Sequence, residues 1–287
     1  MCHNPLDRVT CIINSNIEIA TGIYDMEIQV GDMAKIATPG QFVNLYCYNS
    51  ARLLPRPISI CNVDVESKTL RLIYAVVGEG TKEFATLVPG DKIDVLGSLG
   101  SGFNLEAKED KNILIVGGGV GTPPLLELAK SLKAKFKDRI TITTVLGFRD
   151  EVYLANEFES YGKVLVATDS GSEGFKGNVI ELMKKEFSDE LTGLKPGFDY
   201  MYSCGPTPML KGLQVFNKDY NIKAEFSLEE RMGCGFGGCV GCTVGIRTEM
   251  AKANFMQAHE EVIEDKDFDY KKVCKDGPVF EYSEVIF

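Results

Sequence analysis

The stretch Ile113-Leu114-Ile115-Val116-Gly117-Gly118-Gly119-Val120-Gly121-Thr122-Pro123-Pro124 separates two kinds of pattern in the chain. Its first four residues are a continuous apolar run, which predicts a strand buried on both faces, as in a parallel sheet. Glycines at 117, 118, 119 and 121 then make a turn that lets backbone approach another surface closely. Leu125, Leu128, Ala129, Leu132 and Phe136 follow at helical spacing. Strand, glycine turn and helix together are the setting of a nucleotide loop, where phosphate meets N–H groups at a helix start. The loop is not the G-x-G-x-x-G fingerprint, because Thr122 holds the third glycine position, and no Gly-Lys-Ser/Thr makes it a Walker loop. A plain strand-to-helix turn is the simpler alternative, although three consecutive glycines carry an entropic cost that such a turn need not incur.

Beyond Pro124 the alternation continues. Residues 140–146, 164–167, 200–203 and 223–228 read as strands, and 178–187 and 208–220 as helices, which predicts a doubly wound parallel sheet. Ligands of such sheets sit at the carboxyl ends of the strands. Two more loops emerge there: 168–174, containing Asp169, and 204–209, which begins Cys204-Gly205-Pro206. Cys204 is read either as a thiol flanking a reacting ring or as a buried core residue. Arg149 and Asp150 give opposite hints about a nucleotide 2′-phosphate, which an arginine welcomes and an acid repels.

Before Ile113 the period is that of strands. Residues 10–19, 24–30, 42–48, 57–63, 70–77 and 92–96, broken by glycine, proline and polar turns, predict a six-stranded antiparallel barrel. It carries Arg56-Pro57-Ile58-Ser59, in which arginine offers a rigid fork for phosphate and serine a hydroxyl for a ring nitrogen. A companion segment, Ile73-Tyr74-Ala75, leads to Gly80-Thr81, where a short helix could offer amides to a pyrophosphate. The simpler alternatives are a surface salt bridge for Arg56 and an ordinary barrel-wall aromatic for Tyr74.

After residue 228 comes Glu229-Glu230-Arg231-Met232-Gly233-Cys234-Gly235-Phe236-Gly237-Gly238-Cys239-Val240-Gly241-Cys242. The C-x4-C-x2-C spacing with a fourth thiol at Cys274 is the ligand pattern of plant-type 2Fe-2S clusters. Five glycines among residues 233–241 suit a backbone folded closely round an inorganic group, with amides directed at its sulfurs. Structural zinc on the same cysteines is the alternative, although zinc favours paired C-x2-C hooks. The three regions predict a division into residues 1–105 (barrel), 106–225 (nucleotide domain) and 226–287 (2Fe-2S module).

Composition narrows the function classes. A net charge of −10 disfavours nucleic acid and anionic membrane as partners, since both require a basic patch. No apolar run is long enough to span a bilayer, and the first residues lack the features of a signal peptide. Nine cysteines, an odd number with four claimed by one site, fit reduced thiols in a cytoplasmic protein better than a disulfide framework. His3 and His259 are the only histidines and read as surface residues. No catalytic constellation stands out, as expected where cofactors carry the chemistry.

These motifs together resemble the ferredoxin reductase superfamily, over essentially the whole chain. Residues 56–59 are similar to its flavin motif, Gly80-Thr81 to its FAD pyrophosphate contact, and residues 117–124 with 204–206 to its nicotinamide loops. Ser227-Leu228-Glu229-Glu230-Arg231-Met232 and Cys274-Lys275-Asp276-Gly277-Pro278-Val279-Phe280 resemble, within it, the electron-transfer subunits of type B dihydroorotate dehydrogenases. The turn written Gly-Pro-Leu-Gly in the superfamily is Gly97-Ser98-Leu99-Gly100 here, and the segment between Cys242 and Cys274, with Met250, Phe255, Met256 and an acidic run, is long. The resemblance implies FAD, a 2Fe-2S cluster and NAD(H) as co-substrate. It implies a partner too: an FMN-containing catalytic subunit, in a two-plus-two heterotetramer, that oxidises dihydroorotate to orotate in pyrimidine biosynthesis. A ferredoxin:NADP or sulfide dehydrogenase subunit of the same build is the near alternative, and a non-catalytic zinc-bearing interaction module the distant one.

Overall fold

The computed structural model describes residues 7–49, 51–106, 111–191, 193, 197–249, 251, 252, 255 and 267–287. His3, His259 and most of the acidic run lie outside them. Six strands, β1 (Arg8–Ala20), β2 (Ile23–Gln29), β3 (Phe42–Tyr46), β4 (Arg56–Asp64), β5 (Thr69–Ala75) and β6 (Lys92–Leu99), close a barrel in the order β1-β2-β5-β4-β3-β6. Every pairing within it is antiparallel. Alternation fixes the inside: Met26 and Ile28 on β2 and Leu70, Leu72 and Tyr74 on β5 are buried together. One helix, α1 (Glu79–Ala85), lies between β5 and β6.

The second sheet holds β7 (Asn112–Gly118), β8 (Thr141–Phe148), β9 (Lys163–Thr168), β10 (Phe175–Lys176), β11 (Tyr200–Cys204) and β12 (Lys223–Ser227), all parallel. Its connections are α2 (Pro123–Phe136), α3 (Ala155–Glu159), α4 (Val179–Glu186), α5 (Ser188–Leu191) and α6 (Thr207–Tyr220). Asn178, expected inside α4, is its N-cap: the side chain accepts the N–H groups of Ile180 and Glu181, both at 3.0 Å. The strand order, β10-β9-β8-β7-β11-β12, reverses direction between β7 and β11. That is the topological switch point of a doubly wound sheet.

The remaining residues are grown onto this sheet. A hairpin of β13 (Thr243–Arg247) and β14 (Phe268–Lys272) leads to a one-turn helix, Val273–Asp276, and then to β15 (Val279–Glu281). Strand β15 pairs antiparallel with β12, matching Ser227 to Val279 and Glu225 to Glu281. The sequence pattern did not foretell β15, because three residues behind a proline show no period. Phe255, from the long segment before Cys274, is buried with the guanidinium of Arg247 at 4.0 Å and the ammonium of Lys218 at 3.9 Å from its ring. It packs on its own chain.

A polar clamp joins barrel and sheet. Glu127, buried on α2, accepts the N–H of Val63 on β4 at 2.8 Å and the Lys130 ammonium at 3.2 Å. Lys130 also donates to Asn62 Oδ1 and to the Val63 carbonyl, at 2.8 and 2.6 Å. Strand β4 starts at the flavin motif and α2 starts at the glycine loop, so the clamp fixes two candidate sites to one another. Glu127→Ala leaves the Val63 N–H buried and unpaired. The expected cost is about 2 kcal/mol, read as a lowered urea midpoint at unchanged slope.

Candidate functional site

The carboxyl ends of β7 and β11 meet the β4–β5 side of the barrel and enclose a cavity of about 260 Å³. From the barrel come Arg56, Pro57, Ile58 and Ser59 on β4, Ile73, Tyr74 and Ala75 on β5, and Thr81 in the first turn of α1. From the sheet come Gly121, Cys204 and Gly205. A larger, open depression of about 500 Å³ along the β12–β15 edge contains none of the residues expected from sequence to bind a cofactor. It offers acidic side chains and no glycine loop, so the chemistry lies in the seam.

Among the described residues Arg56 makes no salt bridge. Its Nη1 donates to the carbonyls of Leu54 and Pro55 at 2.6 and 3.4 Å, while the acids of α1, Glu79 and Glu83, pair with Arg52. A Cβ on Gly80 would lie 2.5 Å from Arg56 Nε, so the missing side chain lets the guanidinium rest on the first turn of α1. A cation without a carboxylate beside open backbone is the donor set a pyrophosphate requires. Tyr74 is held in place: its hydroxyl donates to Asn16 Oδ1 at 3.0 Å and its ring stacks on Tyr24.

At the switch point the two loops touch. A Cβ on Gly121 would lie 2.5 Å from the Gly205 N and Cα and from the Cys204 carbonyl, all backbone that cannot yield. Gly117 and Gly118 finish β7, and a Cβ on Gly118 would strike Met209 Sδ at 2.6 Å. Thr122 is wholly buried with its Oγ1 unpartnered, and neither it nor Pro206 reaches the cavity wall. Asp169 is also away from the cavity, exposed after β9 with its N–H donating to Phe148 O. Its neighbours Ser170 and Ser172 turn to Asp150, whose carboxylate accepts the Ser170 hydroxyl at 2.7 Å and is held below the usual carboxylate range by both serines.

Sequence reasoning missed much of the remaining wall: Phe42, Ser227, Leu228, Glu229, Glu230, Met232 and Pro278. Residues 227–232 were open to discovery, since they follow the last parallel strand at its carboxyl end. Phe42 and Pro278 arrive by tertiary packing and leave no local signal. Glu229, Glu230 and Met232 run directly into the cysteine loop.

In that loop every one of the four sulfurs receives a backbone N–H. Cys239 N donates to Cys234 Sγ at 3.3 Å, Gly241 N to Cys239 Sγ at 3.5 Å, Cys274 N to Cys242 Sγ at 3.5 Å and Gly237 N to Cys274 Sγ at 3.2 Å. Gly235 and Gly237, at φ +77° and +88°, supply the left-handed backbone that turns these amides inward. Backbone donors link the cysteines two by two, the Cys239 N–H to the Cys234 sulfur and the Cys274 N–H to the Cys242 sulfur. Burial pushes the Cys234 thiol up, and the N–H groups of Phe236, Cys239 and Gly238 more than offset it, to about 6. Burial and the neighbouring Cys242 push Cys274 up to about 12. Two pairs suit a two-iron cluster, with two thiolates on each iron, whereas a structural zinc gathers four ligands round one ion. The four cysteines thus fit the cluster.

A family model described as the iron-sulfur cluster binding domain of dihydroorotate dehydrogenase B matches residues 260–286. The chain is 39% identical, over 95% of its length and 96% of the relative's, to a protein of Caldanaerobacter subterraneus named dihydroorotate dehydrogenase B (NAD(+)), electron transfer subunit. A Bacillus cereus protein of the same name is 39% identical over 98% of this chain and 99% of its own. Among solved structures, NADH-dependent reduced ferredoxin-NADP oxidoreductase superposes with a TM-score of 0.79 at 30% identity, covering 96% of this chain and 89% of that one. The ferredoxin reductase of carbazole 1,9a-dioxygenase, at 17% identity and a TM-score of 0.63 over 77% of this chain and 68% of its own, shares the fold. The chain belongs to the family of dihydroorotate dehydrogenase B electron transfer subunits.

The cavity sets one reactivity. Burial pushes the Cys204 thiol up to about 12, with a hydrogen bond to Ser227 opposing the shift and Glu229 adding to it. The thiolate is the reactive form, so raising the pKa suppresses reaction. Between about pH 7 and 10 alkylation of Cys204 by iodoacetamide is expected to be slow in the folded chain and to climb with pH without levelling off. In urea it rises through the ordinary thiol value, and peptide mass spectrometry distinguishes the two.

Proposed function

From membership of this family we propose that the chain carries electrons between NAD(H) and a separate FMN-containing catalytic subunit that oxidises dihydroorotate to orotate, a step of pyrimidine biosynthesis. FAD occupies the barrel–sheet cavity, and a 2Fe-2S cluster sits on Cys234, Cys239, Cys242 and Cys274. The observation that carries this reading is adjacency. Glu229, Glu230 and Met232 wall the cavity and lead directly to Cys234, while Pro278 walls it four residues after Cys274. When bound, the flavin supplies the exchange between hydride and single electrons, and the cluster supplies one-electron storage.

The protein's own residues bind and aim. Arg56 and the first turn of α1 at Gly80-Thr81 take the pyrophosphate, and residues 57–59 with 73–75 hold the ring system. Residues 117–122 and 204–206 receive the nicotinamide nucleotide, with Gly121 keeping the two loops in contact. Cys204, uncharged at neutral pH, lies in the wall and excludes water from the place where hydride moves. Asp150, fixed after the second strand of the parallel sheet by Ser170 and Ser172, opposes a 2′-phosphate and favours NADH over NADPH. Asp169, outside the cavity, acts at most on the distal part of the nucleotide.

The working division is residues 1–105, 106–225 and 226–287, although β12 straddles the second boundary and β15 returns to its sheet. Two copies pair with two catalytic subunits in the cytoplasm. Among the described residues no helix is long and apolar enough to cross a membrane. The docking face surrounds the cluster, where Phe236 and Val240 stand 45% and 74% exposed. In the physiological direction electrons arrive at the cysteine loop and leave from the Cys204 side.

Anaerobic purification should yield FAD with about two iron and two sulfide per chain. Cys274→Ser is expected to lose most of the iron and keep the flavin, as absorption spectra and iron assay would show; a colourless wild-type protein would sink the reading. The 30% identity to the ferredoxin-NADP oxidoreductase keeps a reductase subunit with another partner as the second reading. Mixing with a dihydroorotate dehydrogenase B catalytic subunit decides between them. Dihydroorotate-dependent NAD+ reduction is expected, and Phe236→Glu or Val240→Glu should weaken complex formation at least tenfold by titration calorimetry while NADH still reduces the flavin.

A further inference from the structure

Strand β3 contains one fully buried polar residue. Asn44 is 0% exposed between Val43 and Leu45, which are buried apolar side chains of the barrel. Its amide makes one hydrogen bond, from Nδ2 to the carbonyl of Cys234 at 2.9 Å, across 190 residues of sequence. Its Oδ1 is buried with no donor. The orientation of the amide is fixed, because turned about it would set two oxygens against each other. A Cβ on Gly235 would fall 2.3 Å from Nδ2 and 2.6 Å from Oδ1, so the amide lies flat on that glycine. Nothing in the barrel requires this residue: an apolar side chain would fill the same strand without leaving an acceptor unpaired.

The neighbours of Asn44 are the flavin wall. Two residues back along the strand, on the same face, is Phe42; directly across on β4 is Pro57; both line the cavity. On its other side the Asn44 amide grips the first cysteine of the loop. The peptide it holds, between Cys234 and Gly235, begins the turn in which the N–H groups of Phe236, Gly238 and Cys239 are directed at Cys234 Sγ. Gly235 at φ +77° has no side chain to resist rotation, so the turn is held from outside.

We propose that Asn44 is a positioning residue for the iron-sulfur site, fixing the Cys234 turn against the flavin-bearing strands and so setting both the cluster's potential and its place relative to the flavin. This rests on the four cysteines holding a 2Fe-2S cluster. Hydrogen bonds to cluster sulfurs favour the more negative, reduced form. Without the anchor the peptide turns, N–H donors leave Cys234 Sγ, and the potential becomes more negative. The orphaned oxygen makes the position a sensitive one, because Asn44→Asp keeps the shape, removes the donor and sets a carboxyl group beside an anionic group.

The test uses the full chain purified anaerobically with its cofactors. Asn44→Leu and Asn44→Asp are compared with wild type by flavin content, iron content, the EPR spectrum of the reduced cluster and its midpoint potential from a dye-mediated titration. Both variants are expected to keep wild-type flavin content, to shift the EPR g-values and to lower the potential, with Asn44→Asp lower than Asn44→Leu. A buried amide that only stabilised the barrel would change the unfolding midpoint and leave spectrum and potential alone, and that result overturns the proposal. If Asn44→Leu does not accumulate, Asn44→Ala, which removes the amide without adding bulk, is read in the same way. Wild-type protein lacking iron would defeat the cluster assignment itself; iron-replete variants with wild-type spectra would defeat only the role of Asn44.

Discussion

Three residues of edge pairing, Val279–Glu281 against Glu225–Ser227, hold the molecule's working parts in one place. The fourth cysteine is 32 positions beyond the third, and a loop of that length closes only at an entropic cost. Pairing β15 to the last parallel strand meets that cost with backbone hydrogen bonds and with Phe280 buried on the sheet. The N–H of Leu228 donates to Pro278 O and the N–H of Val273 to Cys242 O, both at 2.9 Å. Cys274 is thereby pressed against Cys242 and Pro278 against the cavity. One short strand thus completes the thiol set and the cavity wall together.

Barrel, sheet and cysteine module accordingly share a core. Phe42, Leu96 and Leu99 of the barrel, Leu210, Leu213 and Phe216 of α6, and Cys242, Val273 and Cys274 form one buried cluster. The polar contacts at the seam are equally shared: Glu127 on Val63, Arg71 on Glu157, and Glu151 on Thr21. Packing this dense has no soft layer in which the parts could slide. The distance between cavity and thiols is therefore set by folding, not adjusted afterwards.

The sequence made legible whatever repeats or punctuates. Alternation gave the six barrel strands, the change to helical period after Val116 gave the parallel sheet, and glycine density marked both loops where backbone touches backbone or sulfur. Strand ends moved by a few residues, as at Leu99, because pairing with β3 extends a strand beyond its periodic part. What stayed hidden depends on partners distant in sequence. Phe42 looks like any strand aromatic, Glu127 like any helix acid and Asn44 like a misplaced polar residue. Only the fold shows that the first walls the cavity, the second clamps α2 to β4 and the third grips Cys234. Asp169 differs in another way, since its loop, at the carboxyl end of β9, lies outside the cavity and faces solvent.

The two ends of the cavity answer different physical demands. Hydride moves only between atoms in near contact, about 3–3.5 Å apart and aligned. The switch-point side is built for that, with glycines where any side chain would push the loops apart. Single electrons require no contact between reacting atoms, only a short, well-packed and dry separation. On the other side Phe42, Met232 and Pro278 make an apolar wall, and Met232 stands two residues before Cys234. Glu229 and Glu230 face the cavity from the same segment, so negative charge sits at its rim and leaves Met232 as the residue nearest Cys234 in sequence among those lining it. The order acid, acid, arginine, methionine, glycine, cysteine, which in sequence looks like a prelude to the cluster loop, is the stretch of chain that joins the cavity wall to the first cysteine.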